Sequence, residues 1–465
     1  MPELSSTKSF LHWMHTTRFE DIPSDVRQMT LLALYDGIGC NLACSMLPSA
    51  HRMVDFANLV GGSPDCTMMG FPMRTSVLNA AQVNGTLGHG DEMDAHDGDG
   101  RGTHILAAVM AGALASGQLV GATGPEVLRG VVLGYELSKR MVRVAAQVER
   151  ETGKAFGPVD AGNTMGATAA AGITLRLPPD RLEVALGVAA HMSCNIAAYA
   201  GETAHMTASF LRGGIGARNG VAAALMAKVG YDAPRDIFDG QPGFFHSRLG
   251  IREPGPEFLS GLGEEYGIMG LIFKRHNAGG GYHVARLVLL ELMSKNGLSA
   301  GDIAEIQAEV VPRRDEGLTS SVHHANTSLS HSGREVLALA ALHGGMGLRE
   351  AHDEKFSNTP EFSAMRDRVK ISVRSDWAGV EDRFYAGVTV ITKDGRKLNK
   401  ESKDQQMTEA ELDAKFSYLV GLRAGEDKVR ELAQVLKRLD TVSNVAEVMV
   451  QLELPEAHID EVRMG

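Results

Sequence analysis

Apolar positions recur at helical spacing through the first 270 or so residues. From Ser24, a side chain suited to a helix N-cap, Val26, Met29, Leu32, Ala33 and Tyr35 follow a 3.6-residue period. Thr123 and Pro125 open a further helix, with Val127, Leu128, Val131, Val132 and Tyr135 on its apolar stripe. Segments 164–176, 181–200 and 214–229 keep this spacing and are rich in Ala and Gly, which lets helix axes approach closely. Beyond residue 270 the period falls to two. Ile306, Ala308 and Val310 alternate with Gln307 and Glu309, and Val369, Ile371 and Val373 alternate with Lys370, Ser372 and Arg374. Phe384, Ala386, Val388 and Val390 then alternate into Lys393-Asp394-Gly395-Arg396, a hairpin turn. A helix is predicted over 282–296, and the capping-box spacing of Ser332 and Glu335 predicts another between the first two strands. The helical period returns at a second capping box, Thr408 to Glu411, and runs to about residue 451.

This pattern predicts a mainly α protein: a discontinuous all-helical domain, residues 1–268 and 403–465, with a smaller α+β domain, residues 269–402, inserted between. The length of 465 residues agrees, because one hydrophobic core rarely extends so far. Apolar residues at 44% and charged residues at 22% are ordinary globular values. Aromatics are sparse at 5% while Gly (53) and Met (22) are plentiful, a mix that favours packed helices over a β-sandwich.

A formal net charge of −11 argues against a nucleic-acid or anionic-membrane partner, both of which call for clustered cations. It leaves room for a small anionic substrate held by a few local Lys or Arg. The N-terminal MPELSSTKSFLHWMHTTRF has no signal-type apolar core, and the run 105–117 is too short and too rich in Ala and Gly to span a bilayer. A cytoplasmic location is expected. Cys40, Cys44, Cys66 and Cys194 form no CxxC pair and read as buried, reduced side chains.

The densest chemistry lies in residues 89–104, HGDEMDAHDGDGRGTH, with three histidines, five carboxylates and four glycines. It is not a calcium loop. From Asp97, Arg101 falls where an oxygen ligand is required, and no acid occupies the twelfth position. His89, His96 and His104 are seven and eight residues apart, and no HExxH occurs, so no bound metal is expected. On local evidence alone, a metal site and a solvated acidic loop remain the alternatives.

The stretch AAQVNGTLGHGDEMDAH…TH, followed by a small-residue helix and VLRGVVLGYELSKR, resembles the MmgE/PrpD family. PSDVRQMTLLALYDGIGCNLA, ARNGVAAALMAKVGYDAPRDIFDGQPGF and HANTSLSHSGREVLALAALHGG resemble three further family segments in the same order. The resemblance implies a homodimer whose α+β domain serves as a lid, an active site between the domains, and no cofactor. It implies proton transfer at a carbon next to a carboxylate on a small (poly)carboxylic acid, by dehydration, epimerisation or decarboxylation. Such chemistry needs acid–base groups of tuned pKa together with cations for the carboxylates.

Matched residue by residue, His104 falls on a family histidine and is the first choice for proton transfer. Asp94 matches a family aspartate, and Glu92 stands at another acidic position. His96 adds a nearby imidazole. KRHNAGGGYHVARL matches the basic lid segment, which nominates Lys274, Arg275, His276 and Tyr282 for the substrate and His283 as a second catalytic histidine. Arg212 stands where the family has a histidine near the substrate.

Departures accompany these matches. Ser209 replaces a family lysine, Gly157 and Gly279 replace histidines, and Ile105 replaces a proline. The pocket should therefore be wider and less positive, suited to a larger or less anionic substrate. Two other readings stand beside the lyase or isomerase: a metal-dependent hydrolase, and a binding protein that kept the fold and lost the chemistry.

Overall fold

The computed structural model describes residues 5–97, 103–153, 161–193, 206–311, 329, 332–345, 347–377, 385–403 and 406–459. Helices dominate, as the periodicity predicts. The helix Ile105–Val120 is buried along almost its whole length, which accounts for an apolar run with no polar stripe. Around it pack Val77–Gly88, Gly124–Thr152, Ala161–Thr174 and Ile215–Lys228. Small residues allow this. A Cβ on Gly134 would lie 2.4 Å from the Gly166 carbonyl, and one on Gly166 would lie 2.5 Å from the Gly134 carbonyl. Among the described residues no single helix is long and apolar enough to cross a membrane.

Caps were partly legible. Thr123 with Glu126, and Thr408 with Glu411, form the reciprocal hydrogen bonds of a capping box. Ser24 instead begins its helix, Ser24–Cys44, with Pro23 at the N-cap. Ser332 takes the N-cap position of Gly333–His343, but its hydroxyl meets the Glu335 carboxylate and caps no backbone N–H.

The predicted C-terminal helix is three pieces, Glu409–Gly421, Glu426–Leu436 and Val445–Gln451. The first two pack on Ser24–Cys44 and the third on Ile105–Val120. Tyr35 stacks on Phe416 at 4.1 Å between ring centroids, so the last part of the chain closes the core begun by the first.

The four-stranded sheet runs Val369–Val373, Ile303–Val310, Tyr385–Thr392, Lys397–Lys403. Its first pair is parallel and the other two antiparallel. Ile306, Ala308, Val388 and Val390 join an apolar cluster with the helices Gly280–Lys295 and Gly333–His343. Val373 is exposed, because Val369–Val373 is an edge strand. Phe384 lies outside the described residues. Cys40, Cys44 and Cys66 are buried, and burial pushes all three thiols up, Cys66 to about 12. Cys194 lies outside the described residues.

Candidate active site

Two segments that the sequence nominates separately meet here. His96–Asp97 pairs antiparallel with Leu271–Ile272, and Ala278 N–H donates to the Glu92 carbonyl at 3.1 Å. The acidic stretch after the helix Val77–Gly88 is thereby fastened to the basic segment that leads into the helix Gly280–Lys295.

Asp94 is the centre of the arrangement. Its Oδ1 lies 3.0 Å from His89 Nδ1 and its Oδ2 lies 2.7 Å from His104 Nδ1. The two imidazoles lie against each other, with centroids 3.8 Å apart. All three side chains are buried. An ionised carboxylate accepts from both rings only if each carries its proton on Nδ1, so Nε2 of His104 is the nitrogen left to take or give a proton.

Burial works to raise the Asp94 pKa, but the imidazoles facing it outweigh that and hold the carboxyl well below the usual range. For His104 burial wins. It drives the imidazole well below its ordinary value, and Asp94 opposes that only in part while His89 adds to it. Asp94 taken alone would raise this histidine's proton affinity, and burial reverses the sum. His104 is a neutral base near pH 7, not an imidazolium.

Cations surround the pair. Lys274 donates to Glu92, and both are buried. Arg212 Nη1 donates to His89 Nε2 at 3.4 Å, as the Nδ1–H tautomer of His89 requires. Arg212 sits in a single wide turn, Phe210–Gly214, a feature often found at functional sites. The turn packs backbone to backbone on the helix Val77–Gly88. A Cβ on Gly213 would lie 1.8 Å from the Gly85 carbonyl, and one on Gly85 would lie 2.5 Å from the Gly213 carbonyl. This close approach brings Arg212 to His89.

The other nominated residues have partners of their own. His96 has its Nδ1 3.2 Å from the Asp97 carbonyl, on the two-residue ladder. His283 Nε2 accepts the Arg275 backbone N–H at 3.1 Å, so this imidazole holds the basic turn in shape. Arg275 pairs with Glu411 at 3.2 Å. His276, with its ring 6.4 Å from that of His283, is pushed down to about 2 by burial and then by Arg286. Tyr282 packs on Gly333 and Ile371 in the sheet's apolar cluster. Thr103 bonds Asp97, and His104 takes the N-cap position of the helix Ile105–Val120 without a side-chain cap bond. Ser209 is buried just before the wide turn, and Gly279 is the N-cap of Gly280–Lys295. Gly157 lies outside the described residues.

Sequence reasoning missed several partners. His89 was weighed only as a metal ligand. Lys415 is buried against Asp36 at 2.6 Å and also donates to the Met93 carbonyl at 2.8 Å. Asp97 accepts from Tyr135 at 2.6 Å and from Lys139 at 2.9 Å. Asp91 accepts from Asn277 at 2.7 Å and also meets His352. These partners are far apart in the chain, and no local motif announces them. His89, Glu92 and His104 each place a donor atom within 4.8 Å of the others, a convergence that the seven- and eight-residue spacings do not reveal.

Comparison with known proteins agrees with this architecture. The MmgE/PrpD N-terminal domain matches residues 8–257, and the MmgE/PrpD C-terminal domain matches residues 276–441. The chain belongs to the MmgE/PrpD family. Its relatives include the cis-aconitate decarboxylase-like protein oryM of Aspergillus oryzae, 26% identical over 63% of each chain. The cis-aconitate decarboxylase of Aspergillus terreus is 26% identical over 55% of this chain and 54% of its own. That of Homo sapiens is 22% identical over 97% of this chain and 95% of its own. The chain thus spans only 63% and 54% of the length of the two fungal relatives it matches.

Proposed function

We propose that the protein is a lyase or isomerase that works without a cofactor, by proton transfer at a carbon next to a carboxylate on a small (poly)carboxylic acid. The observation that carries this reading is a buried His104 whose Nδ1 is bonded to Asp94 beside the buried Lys274–Glu92 pair. Nε2 of His104 takes the proton from the substrate carbon. Asp94, already bonded to Nδ1, stabilises the imidazolium as it forms. Dehydration and epimerisation begin with this proton removal, whereas decarboxylation begins with loss of carbon dioxide and takes its proton from water, because His104 starts neutral. Lys274 and Arg212 hold the substrate carboxylates and the charge that develops on them. Glu92 keeps the Lys274 ammonium in place until substrate arrives. Relatives named for cis-aconitate decarboxylation support a carboxylic-acid substrate and a lyase-type reaction.

Within this proposal, residues 269–402 form a lid over the site, and the protein works as a homodimer. Ser209 and Gly279 remove side chains that the family resemblance would supply, so the substrate is larger or less anionic than a tricarboxylate. Incubation in deuterated water with a set of di- and tricarboxylic acids, followed by NMR of the protons next to each carboxylate, tests the reading. Exchange or turnover of at least one acid supports it. If no acid reacts while one binds, the protein is a binding protein that kept the fold. A metal-dependent hydrolase is favoured only by the convergence of His89, Glu92 and His104. Lys274 argues against it, because an ammonium already neutralises Glu92. Activity that survives chelation separates the two.

A further inference from the structure

The stretch of chain that carries Asp94 is gripped from several sides. Met93 packs into an apolar cluster with Cys40, Cys44 and Leu419, and Ala95 into the one that holds Tyr35 and Phe416. The Glu92 carbonyl accepts from Ala278 N–H at 3.1 Å, and the Met93 carbonyl accepts from Lys415 Nζ at 2.8 Å. Cys40 Sγ lies 3.6 Å from the same Met93 oxygen. That carbonyl belongs to the peptide unit ending at the Asp94 nitrogen, and the unit is planar. Turning the plane swings the Asp94 side chain, so a donor fixed on the Met93 carbonyl also fixes where the carboxylate points.

Lys415 comes from the helix Glu409–Gly421 and is itself held by Asp36 of the helix Ser24–Cys44, at 2.6 Å. Asp36 and Cys40 share one face of that helix, a turn apart. Both members of the ion pair are buried. Stability does not account for them. Well-packed apolar side chains often serve a core as well as a buried ion pair does. Here Asp36 Oδ2 is also buried with no hydrogen-bond partner among the described residues. What an apolar side chain at 415 could not supply is a donor for the Met93 carbonyl.

We propose that Lys415, anchored by Asp36, is a positioning residue for the proton transfer. Through the Met93 carbonyl it sets the direction of the Asp94 carboxylate, and with it the 2.7 Å contact from Asp94 Oδ2 to His104 Nδ1. Lys415 acts only through Asp94 and is not a catalytic residue. The inference rests on the reaction read for His104 and Asp94, but its first readout needs no substrate.

The test uses two variants of the full chain. Lys415→Met leaves Asp36 buried and unpaired and should lower the melting temperature. Lys415→Met combined with Asp36→Val removes both charges and should recover much of that loss, while the Met93 carbonyl still lacks its ammonium donor. The first readout is nitrogen NMR of histidine-labelled protein without substrate, with the His104 Nδ1–H signal assigned by its absence in His104→Asn. The parent chain should show one strongly hydrogen-bonded Nδ1–H tautomer, and both variants a mixture of tautomers. The second readout is turnover of the di- and tricarboxylic acids of the exchange test, where a displacement of about 1 Å should lower kcat about 10²-fold with little change in KM. A stable double variant with the parent's Nδ1–H signal and turnover would overturn the proposal, because the pair would then serve the fold alone. Should the double variant not fold, Lys415→Met recorded well below its melting temperature decides by the same signal. If no acid reacts with the parent chain, the reaction read for His104 fails, and the Nδ1–H signal still decides whether Lys415 positions Asp94.

Discussion

Replacing His104 with alanine is the sharpest test of the proposed chemistry, because Nδ1 is bonded to Asp94 and the proposal gives the proton to Nε2. Removing a general base typically lowers the rate about 10²–10⁴-fold, or about 3–5 kcal/mol of barrier. The same change has a structural cost. Asp94 keeps His89 at 3.0 Å but loses its 2.7 Å partner, and a buried acceptor left short of a donor costs about 1–3 kcal/mol. A slow variant could then be only a loosened one. His104→Asn separates the two effects, since its side-chain amide can reach Asp94 as Nδ1 does but nothing stands in for Nε2. The expected outcome is that His104→Asn recovers most of the lost melting temperature and none of the lost rate. The assay is exchange of substrate protons with deuterated water, followed by NMR with melting curves recorded in parallel. Near-normal exchange in His104→Asn would refute the assignment of Nε2 as the proton-transfer atom.

Acid should weaken the fold through the same histidine. The His104 pKa is depressed in the folded chain, so its contribution is fully present above the unfolded value of about 6.5 and is lost as pH falls below it, by about 1.4 kcal/mol per unit at most. Urea midpoints at successive pH values should therefore fall more steeply below pH 6.5 in the parent chain than in His104→Asn, and equal slopes would count against a neutral buried ring. Lys274→Gln leaves Glu92 buried without its cation and should cost about 3–5 kcal/mol of stability. The double variant with Glu92→Gln should recover much of that loss and none of the substrate affinity, read from thermal melts and KM. In Gly213→Ala the new Cβ would run into the Gly85 carbonyl, so a backbone shift costing about 1–3 kcal/mol should displace Arg212 and reduce exchange. Sedimentation at micromolar concentration should give a dimer mass, and a monomer would remove the dimer from the proposal.

What the sequence determined by itself was local. Helix and strand periods follow from how side chains alternate about a backbone, so Gly124–Thr152 with its Thr123 cap and the alternating strand Ile303–Val310 were legible before any fold was known. The family likeness likewise rested on short contiguous segments, and it singled out Asp94, His104 and Lys274, which the fold does gather. Tertiary structure decided everything that depends on burial and on partners distant in the chain. What His283 and Tyr282 touch is one such matter: the first accepts the Arg275 backbone N–H and the second lies beside Gly333. Asp36 and Lys415 are separated by most of the chain, and only packing of the C-terminal helices onto Ser24–Cys44 makes them an ion pair. The proton affinity of His104 was beyond sequence reasoning for the same reason. A neighbouring carboxylate can be guessed from spacing, but the loss of water around the ring comes from helices folded over it, and that loss outweighs the carboxylate.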